Sequence, residues 1–383
     1  MKRKLFLGLL AAAAVSFTAC QKDEVLSEVP QDQPIEFGTY VGRGAETKAA
    51  SIDNVSDLNK ISFGVFAFYT GGNDWSESAT PNFMFDQKVS IPNGGSAWEY
   101  SPLKYWPNNT GDQISFFAYA PWDADDKLTV SSNITPGTPK LYYSVDADVN
   151  EHIDVLYSKN DTKNMTKQSI TGMIKFEFAH ALSRIGFSAQ ILDDVVAEDK
   201  TGESDKTQTG KGFDYENTRV EIKEIEIKGG FVTGGVLSLN NPTTWEKSAS
   251  KYDSFTIPAS KLYNCTTNGS NTLINKTSLN VAGEKESGYL MVVPHYFDGS
   301  TTQNALQIRV LYTVTTIDDK LDGGQSVITN NITSDYFSFN FEQGKAYNFN
   351  LQLGLTSVKF DASVSEWKDG GDYAVNVPIN FNN

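Results

Sequence analysis

Tyr347-Asn348-Phe349-Asn350-Leu351-Gln352-Leu353 alternates a large apolar side chain with an amide at every step. Successive side chains of an extended chain point to opposite faces, so Tyr347, Phe349, Leu351 and Leu353 line one face and the amides the other. One face is buried and one is wet, as in antiparallel sheets packed into a sandwich. The same period recurs outward from this segment, and long stretches at helical spacing are scarce. Strands are predicted over 61–69, 114–120, 141–145, 175–178, 219–227, 306–316 and 336–341 as well as 347–353. Within 220–227 the apolar set shifts by one residue between Ile222 and Ile225, which predicts a β-bulge. Gly-Gly pairs beginning at 71, 94, 229, 234, 323 and 370 are expected to supply the positive-φ positions of tight connections. The fold class is all-β.

A chain of 383 residues would make one unusually large sandwich, so two are expected. The first apolar series closes with 174–178, and a new one opens at Ala181-Leu182-Ser183-Arg184-Ile185-Gly186-Phe187. The division is placed near residue 178, giving an N-terminal sandwich over 35–178 and a C-terminal one over 179–383. Residues 193–216, rich in Gly, Thr, Asp and Lys, are predicted to be an exposed loop of the second unit.

The compartment is read from the first twenty residues. Lys2, Arg3 and Lys4 precede an apolar run over 5–17 that ends in Thr18-Ala19-Cys20. That run is too short to remain a transmembrane helix and has the n- and h-regions of an export signal. A small residue just before a cysteine is what a lipoprotein signal peptidase cuts, although Phe17 stands where leucine is usual. Residues 1–19 are therefore expected to leave and Cys20 to carry the lipid, followed by a flexible leader over 20–34.

The formal charge is 32 − 47 = −15. Such acidity repels phosphate backbones and anionic headgroups, so nucleic acid is not an expected partner and the membrane is reached only through the lipid anchor. With Cys20 lipidated, Cys265 has no partner for an internal disulfide and reads as a small buried apolar residue.

Chemistry-bearing clusters are sparse. His152, His180 and His295 share no metal-ligand spacing and read as structural residues. No G-x-S-x-G elbow occurs. Gly210-Lys211-Gly212 lacks the upstream glycine and the hydroxyl residue of a phosphate loop. Asp146-Ala147-Asp148-Val149-Asn150 starts like a calcium loop, but Glu151 replaces the turn glycine and Tyr157 the bidentate glutamate, leaving an acidic turn. Trp98, Trp106 and Trp122 read as core, and Trp75, after Gly71-Gly72-Asn73-Asp74, is the better candidate for an exposed sugar-stacking platform. No catalytic residue, metal or cofactor is expected.

Several words in order resemble the Mfa-like fimbrillins: Gly64-Val65-Phe66-Ala67-Phe68-Tyr69, Lys104-Tyr105-Trp106-Pro107, Ser115-Phe116-Phe117-Ala118-Tyr119-Ala120-Pro121, and Phe178-Ala179-His180-Ala181-Leu182-Ser183-Arg184. The segment 347–353 followed by Val364-Ser365-Glu366-Trp367 looks like the close of that family, so the resemblance covers nearly the whole chain. Gln21-Lys22-Asp23-Glu24 likewise resembles the signal that sends Bacteroidetes-type lipoproteins to the outer face of the outer membrane. The resemblance implies two transthyretin-like (Greek-key) β-sandwich domains in tandem. It also implies a subunit of a type V pilus, assembled by strand exchange once an arginine-specific surface protease removes the N-terminal strand. Partners would be other fimbrial subunits and, for adhesion, a host or bacterial surface protein or glycan.

Three features of the residues are compatible with that implication. Arg3 leaves with the signal, and Arg184, Arg219 and Arg309 lie in or beside predicted strands, so Arg43, flanked by Gly42 and Gly44, is the open site for cleavage between Arg43 and Gly44. Ile35, Phe37, Thr39 and Val41 alternate with other residues and form the expected displaced strand. Val375, Val377, Ile379 and Phe381 form the expected donor strand, in which Pro378, lacking an amide donor, suits an edge or an inserted strand. That C-terminal strand could equally complete its own domain. The competing reading is a monomeric surface lipoprotein that binds glycans, and a third is a glycosidase built on scattered carboxylates.

Overall fold

A computed structural model describes residues 32–41, 58–122, 124–159, 161–170, 172–191, 217–259, 272–274, 290–354, 358–366 and 377–379. Strands dominate these residues. The first eight are β1 (Phe37–Val41), β2 (Phe63–Gly71), β3 (Met84–Val89), β4 (Gln113–Ala120), β5 (Leu128–Val130), β6 (Lys140–Ser144), β7 (Leu156–Ser158) and β8 (Ile174–His180). There follow β9 (Ser183–Ile191), β10 (Thr218–Val232), β11 (Gly234–Ser238), β12 (Trp245–Lys247), β13 (Lys251–Pro258), β14 (Thr272–Ile274) and β15 (Leu290–Val292). The last are β16 (His295–Phe297), β17 (Gln307–Ile317), β18 (Gln325–Thr333), β19 (Phe339–Phe341), β20 (Lys345–Leu353), β21 (Val358–Glu366) and β22 (Val377–Ile379).

β1–β8–β7–β4–β2–β3 form one sheet, and β13–β10–β17–β18 a second. A third runs β14–β9–β20–β21–β22, with β15 also on β9. A fourth sheet, β12–β11–β6–β5, takes strands from both sides of residue 178, with Leu141 paired to Leu237 and the Val145 amide donating to Thr233 O at 2.9 Å. The expected division at 178 falls inside β8, and the ladder that runs across it is the one between β6 and β11.

Burial follows the sequence pattern. β20 alternates as read, with Tyr347, Phe349, Leu351 and Leu353 buried and the amides between them half-buried. Phe63 through Phe68 and Ile114 through Ala120 are buried without interruption, because the central strands β2 and β4 are covered on both faces. Phe63, Val65, Ala67, Phe116 and Ala118 enter one apolar cluster, while Phe66, Phe68, Phe117 and Tyr119 enter the other together with Leu141, Tyr143 and Leu237. In the second half, Tyr312 of β17 lies fully buried and its hydroxyl donates to Gly354 O at 2.9 Å, joining the β17 sheet to the end of β20.

The predicted bulge is present, since the β10–β17 register shifts between Ile222 and Glu224. The Gly229–Gly230 pair, in contrast, is not a turn. It lies inside β10 at a second register shift, and a Cβ on Gly230 would meet Gln303 O at 2.4 Å, so glycine is required there for close approach. Residues 336–338 precede the strand expected over 336–341, which begins at Phe339, and Tyr336 is exposed.

Candidate functional site

The displaced-strand residues form a plug in one edge of the first sheet. Among the described strands β1 is terminal and pairs in parallel with β8 alone, Phe37 opposite Ile174 and Val41 opposite Phe178. Just before it, the Trp106 amide donates to Gln33 O and the Ile35 amide to Lys104 O, both at 2.9 Å, and the Tyr100 hydroxyl donates to Ile35 O at 2.8 Å. The Ile174 amide donates to Glu36 O at 2.8 Å.

Side chains set the depth of the plug. Ile35 is fully buried and Phe37 is 3% exposed. The Phe37 ring stacks on Phe176 at 5.5 Å and meets Tyr100 at 5.2 Å, Phe116 at 6.0 Å and Phe63 at 6.5 Å. Thr39 is half-buried, its Oγ1 accepting from Trp98 Nε1 at 3.1 Å. Residues 42–57 lie outside the described residues, Arg43 and Gly44 among them, as does the side chain of Val41.

Without residues 33–41 the sheet would expose a groove floored by Phe176, Phe116 and Phe63 and walled by Trp98 and Tyr100. Its wall was not singled out from the sequence as part of a site. Of the tryptophans that the sequence places in the core, Trp106 is there, 2% exposed, whereas Trp98 is half-buried and packs against the cluster from the groove side; Tyr105 forms an isolated bridge to Pro34. The signal was an aromatic cluster immediately before β4; its role depends on β1 meeting it from far away in the chain.

At the other end, β22 pairs antiparallel with β21, Ala362 opposite Val377 and Phe360 opposite Ile379. It is a terminal strand of its own sheet, with Pro378 within it as an edge tolerates. Val375, Phe381, Cys20, Cys265, 193–216 and Gly210-Lys211-Gly212 lie outside the described residues. Of the other arginines, Arg184 lies in β9, Arg219 in β10, and Arg309 in β17, where it pairs with Glu226 at 2.6 Å and with Glu224.

The remaining candidates have structural partners. His152 is buried: the Met291 amide donates to its Nδ1 at 3.0 Å and its Nε2–H donates to Asp146 O at 2.8 Å, so the neutral ring bridges the 146–152 turn to β15. Burial pushes its pKa down from 6.5 to about 4, against the raising influence of Asp146 and Asp148. His180 Nδ1 lies 3.0 Å from Asp154 Oδ2, both buried, and His295 contacts Asn304 at 3.3 Å. In the acidic turn, Lys127 reaches Asp146 at 3.6 Å and Glu151 at 2.8 Å. Among the described residues no group of three His, Cys, Asp or Glu could hold a metal, and no helix is long and apolar enough to cross a membrane. Trp75 is not the open platform expected from its sequence. Asn164 Oδ1 accepts its amide at 2.7 Å and folds the loop back, so the ring packs edge-on to Phe117 at 5.3 Å and Phe68 at 5.9 Å.

Comparison with known proteins agrees with this architecture. The sequence model described as fimbrillin-like matches residues 47–367. The Fimbrium subunit Fim1C of Phocaeicola vulgatus is 24% identical over 404 residues, spanning 96% of this chain and 98% of that protein. A crystal structure of a fimbrial protein from Bacteroides vulgatus superposes with a TM-score of 0.61 at 19% identity, covering 88% of this chain and all of that one, which establishes a shared fold.

Proposed function

This chain belongs to the fimbrillin-like family, and from that premise we propose that it is a non-enzymatic structural subunit of a cell-surface fimbria that serves adhesion. It is exported with its signal segment, lipidated at Cys20 and held at the outer membrane until it is built into the fimbria. Cleavage between Arg43 and Gly44 releases β1, and a C-terminal strand carrying Val375, Val377, Ile379 and Phe381 from another subunit enters the groove.

The observation that carries this reading is the placement of β1, a short parallel edge strand that ends two residues before Arg43; its buried Phe37 and the buried Ile35 just ahead of it plug an aromatic groove. An emptied edge with unpaired backbone groups and an apolar floor invites strand addition. A donor burying about four apolar side chains would gain roughly 1.5–3 kcal/mol for each large one. The two sandwich units joined through the shared β6–β11 ladder are proposed as the organisation within which this occurs.

The pairing of β22 with β21 favours a second reading, in which the C-terminal strand stays home and the chain acts as an anchored monomer that binds glycans. Truncation before Val375 separates the two. A folded, secreted monomer that no longer polymerises supports donation, whereas a degraded monomer assigns the strand to its own sheet. N-terminal sequencing of polymerised material should begin at Gly44, and a start at lipidated Cys20 would defeat the cleavage step. Cys20→Ala should release the protein from the membrane fraction; retention there would remove the anchor from the scheme.

A further inference from the structure

Three connections that lie far apart in the chain meet at the end of the β6–β11 ladder. Lys163, between β7 and β8, donates from Nζ to Asn240 Oδ1 at 3.2 Å across 77 residues. Asn240, between β11 and β12, donates from Nδ2 to Oε1 of Glu77 at 3.1 Å, and Glu77 lies between β2 and β3. Lys163 and Asn240 are half-buried. An amine therefore stands at the carbonyl side of a carboxamide, and a carboxylate at its amino side.

Each participant is held from its own side. The Phe116 amide donates to Thr162 O at 3.0 Å and Thr162 Oγ1 to Phe116 O at 2.6 Å, which pins the residue before Lys163 to β4. The Leu239 amide donates to Pro139 O at 3.0 Å, which pins the residue before Asn240. Glu77 is a surface residue whose carboxylate turns inward: Oε2 accepts from the Thr138 amide at 2.9 Å and Oε1 from Thr138 Oγ1 at 2.8 Å. A Cβ on Gly137 would lie 2.8 Å from Oε2, so glycine leaves the carboxylate its seat. The Asn241 amide, the neighbour that could otherwise attack the same carboxamide, donates to Ser238 O at 3.2 Å.

We propose that Lys163 and Asn240 become joined by an isopeptide bond, with Glu77 as the catalytic carboxylate. Nζ is 3.2 Å from Oδ1, so across a C=O bond of about 1.23 Å it lies within about 4.4 Å of Asn240 Cγ. That is about 1 Å beyond the roughly 3–3.5 Å of an attacking pair, and fixed neighbours react as one molecule. The Lys163 ammonium first gives one proton to water, because the neutral amine is the nucleophile. Its lone pair then forms the Nζ–Cγ bond. Glu77 takes a further proton from Nζ and delivers it to Nδ2, the Cγ–Nδ2 bond breaks, and the carbonyl re-forms as a secondary amide. Ammonia leaves into the open cleft lined by Phe117, Lys159, Asp161 and Pro242. One lysine charge and one ammonia are lost, and the step needs no oxidant, reductant or cofactor.

The bond closes a covalent loop through β8, β9, β10 and β11, and so ties the first sheet to the fourth across residue 178. It requires neither trimming at Arg43 nor strand exchange, so its absence leaves the fimbrial reading untouched.

Tryptic mapping of the full chain purified from cells reads the bond directly. Trypsin should fail to cut after Lys163, and peptide 160–167 should appear joined to peptide 229–247, lighter than their sum by one ammonia. Lys163→Arg and Asn240→Ala should each give unlinked peptides, and Glu77→Gln should slow the link by about 100-fold or more. Lys167 reaches Asn108 at 3.2 Å and Asn108 reaches Asp32 at 3.4 Å, but there the amide and the carboxylate are both exposed, so trypsin should cut after Lys167 in the same digest. A chain cut cleanly after Lys163, with both peptides unlinked, would overturn the proposal. So would an ammonia loss that maps only elsewhere, as at Asn93-Gly94, or a link that forms as fast in Glu77→Gln as in the wild type.

Discussion

Phe37→Ala removes the side chain by which β1 holds the groove. Phe37 is 3% exposed and touches four aromatic rings within 6.5 Å, so its loss creates a cavity that rigid neighbours cannot fill. Buried Phe→Ala changes cost about 3–5 kcal/mol, and an edge site that can partly collapse belongs near 3. The cost falls on the attachment of β1 and on few other elements, so it should be read locally. The Ile174 amide, which donates to Glu36 O at 2.8 Å, reports detachment of β1 directly. Its hydrogen exchange should accelerate about 100-fold, since 1.4 kcal/mol is tenfold. Amides in the β10–β17 ladder should change far less. Thr39→Val provides the scale: it deprives Trp98 Nε1 of its acceptor, a loss of about 1 kcal/mol, and should speed the same amide less than tenfold. An acceleration below tenfold in Phe37→Ala, or one spread evenly over both halves, would refute the idea that Phe37 is the plug.

His152 makes stability depend on acid. Its folded pKa of about 4 lies below the ordinary 6.5, so the unfolded chain binds the extra proton. The neutral ring therefore contributes its full stabilisation above about pH 6.5 and loses up to about 3 kcal/mol as pH falls to about 4. Thermal melts of the wild type and His152→Asn between those limits should converge as pH falls, and parallel curves would show that His152 does not titrate in this way. Tyr312→Phe leaves Gly354 O without its inter-sheet donor and should cost about 1–1.5 kcal/mol in urea unfolding. Gly230→Ala forces backbone apart at Gln303 O and should cost about 1–3 kcal/mol, with Gly72→Ala, where a Cβ meets nothing within 4 Å, costing less in the same assay. Asp154→Ala removes one buried hydrogen-bond partner of His180 and should destabilise the chain by about 1–3 kcal/mol; an unchanged melting temperature would show the pair is dispensable.

How much could be read before folding depended on the range of the interactions. Residues 347–353 and 219–227 disclosed strand, face and bulge because a half-buried strand records its surroundings in its own alternation. β18 was not recognised: on an exposed edge nothing demands alternation, and its Val, Ile, Asn and Thr carry no period. Composition suggests a turn at Gly229–Gly230 because it reports a missing Cβ without saying whether torsion or crowding requires it. Trp75 was expected in the open because the bond from its amide to Asn164 spans 89 residues.

The amino-acid sequence by itself determined the all-β class, the acidic balance, and the two terminal segments whose alternation marks them as strands; each rests on neighbours within a few residues. Only the tertiary structure decided that β1 runs parallel to β8 at a sheet edge, that Tyr100, Phe116 and Phe176 pack around Phe37, that β6 pairs with β11 from far along the chain, and that among the described strands β18 pairs with β17 alone. These are pairings between residues tens to more than a hundred positions apart. Local propensity leaves them open, and they are selected by which apolar faces can be buried together while every interior backbone group finds a partner.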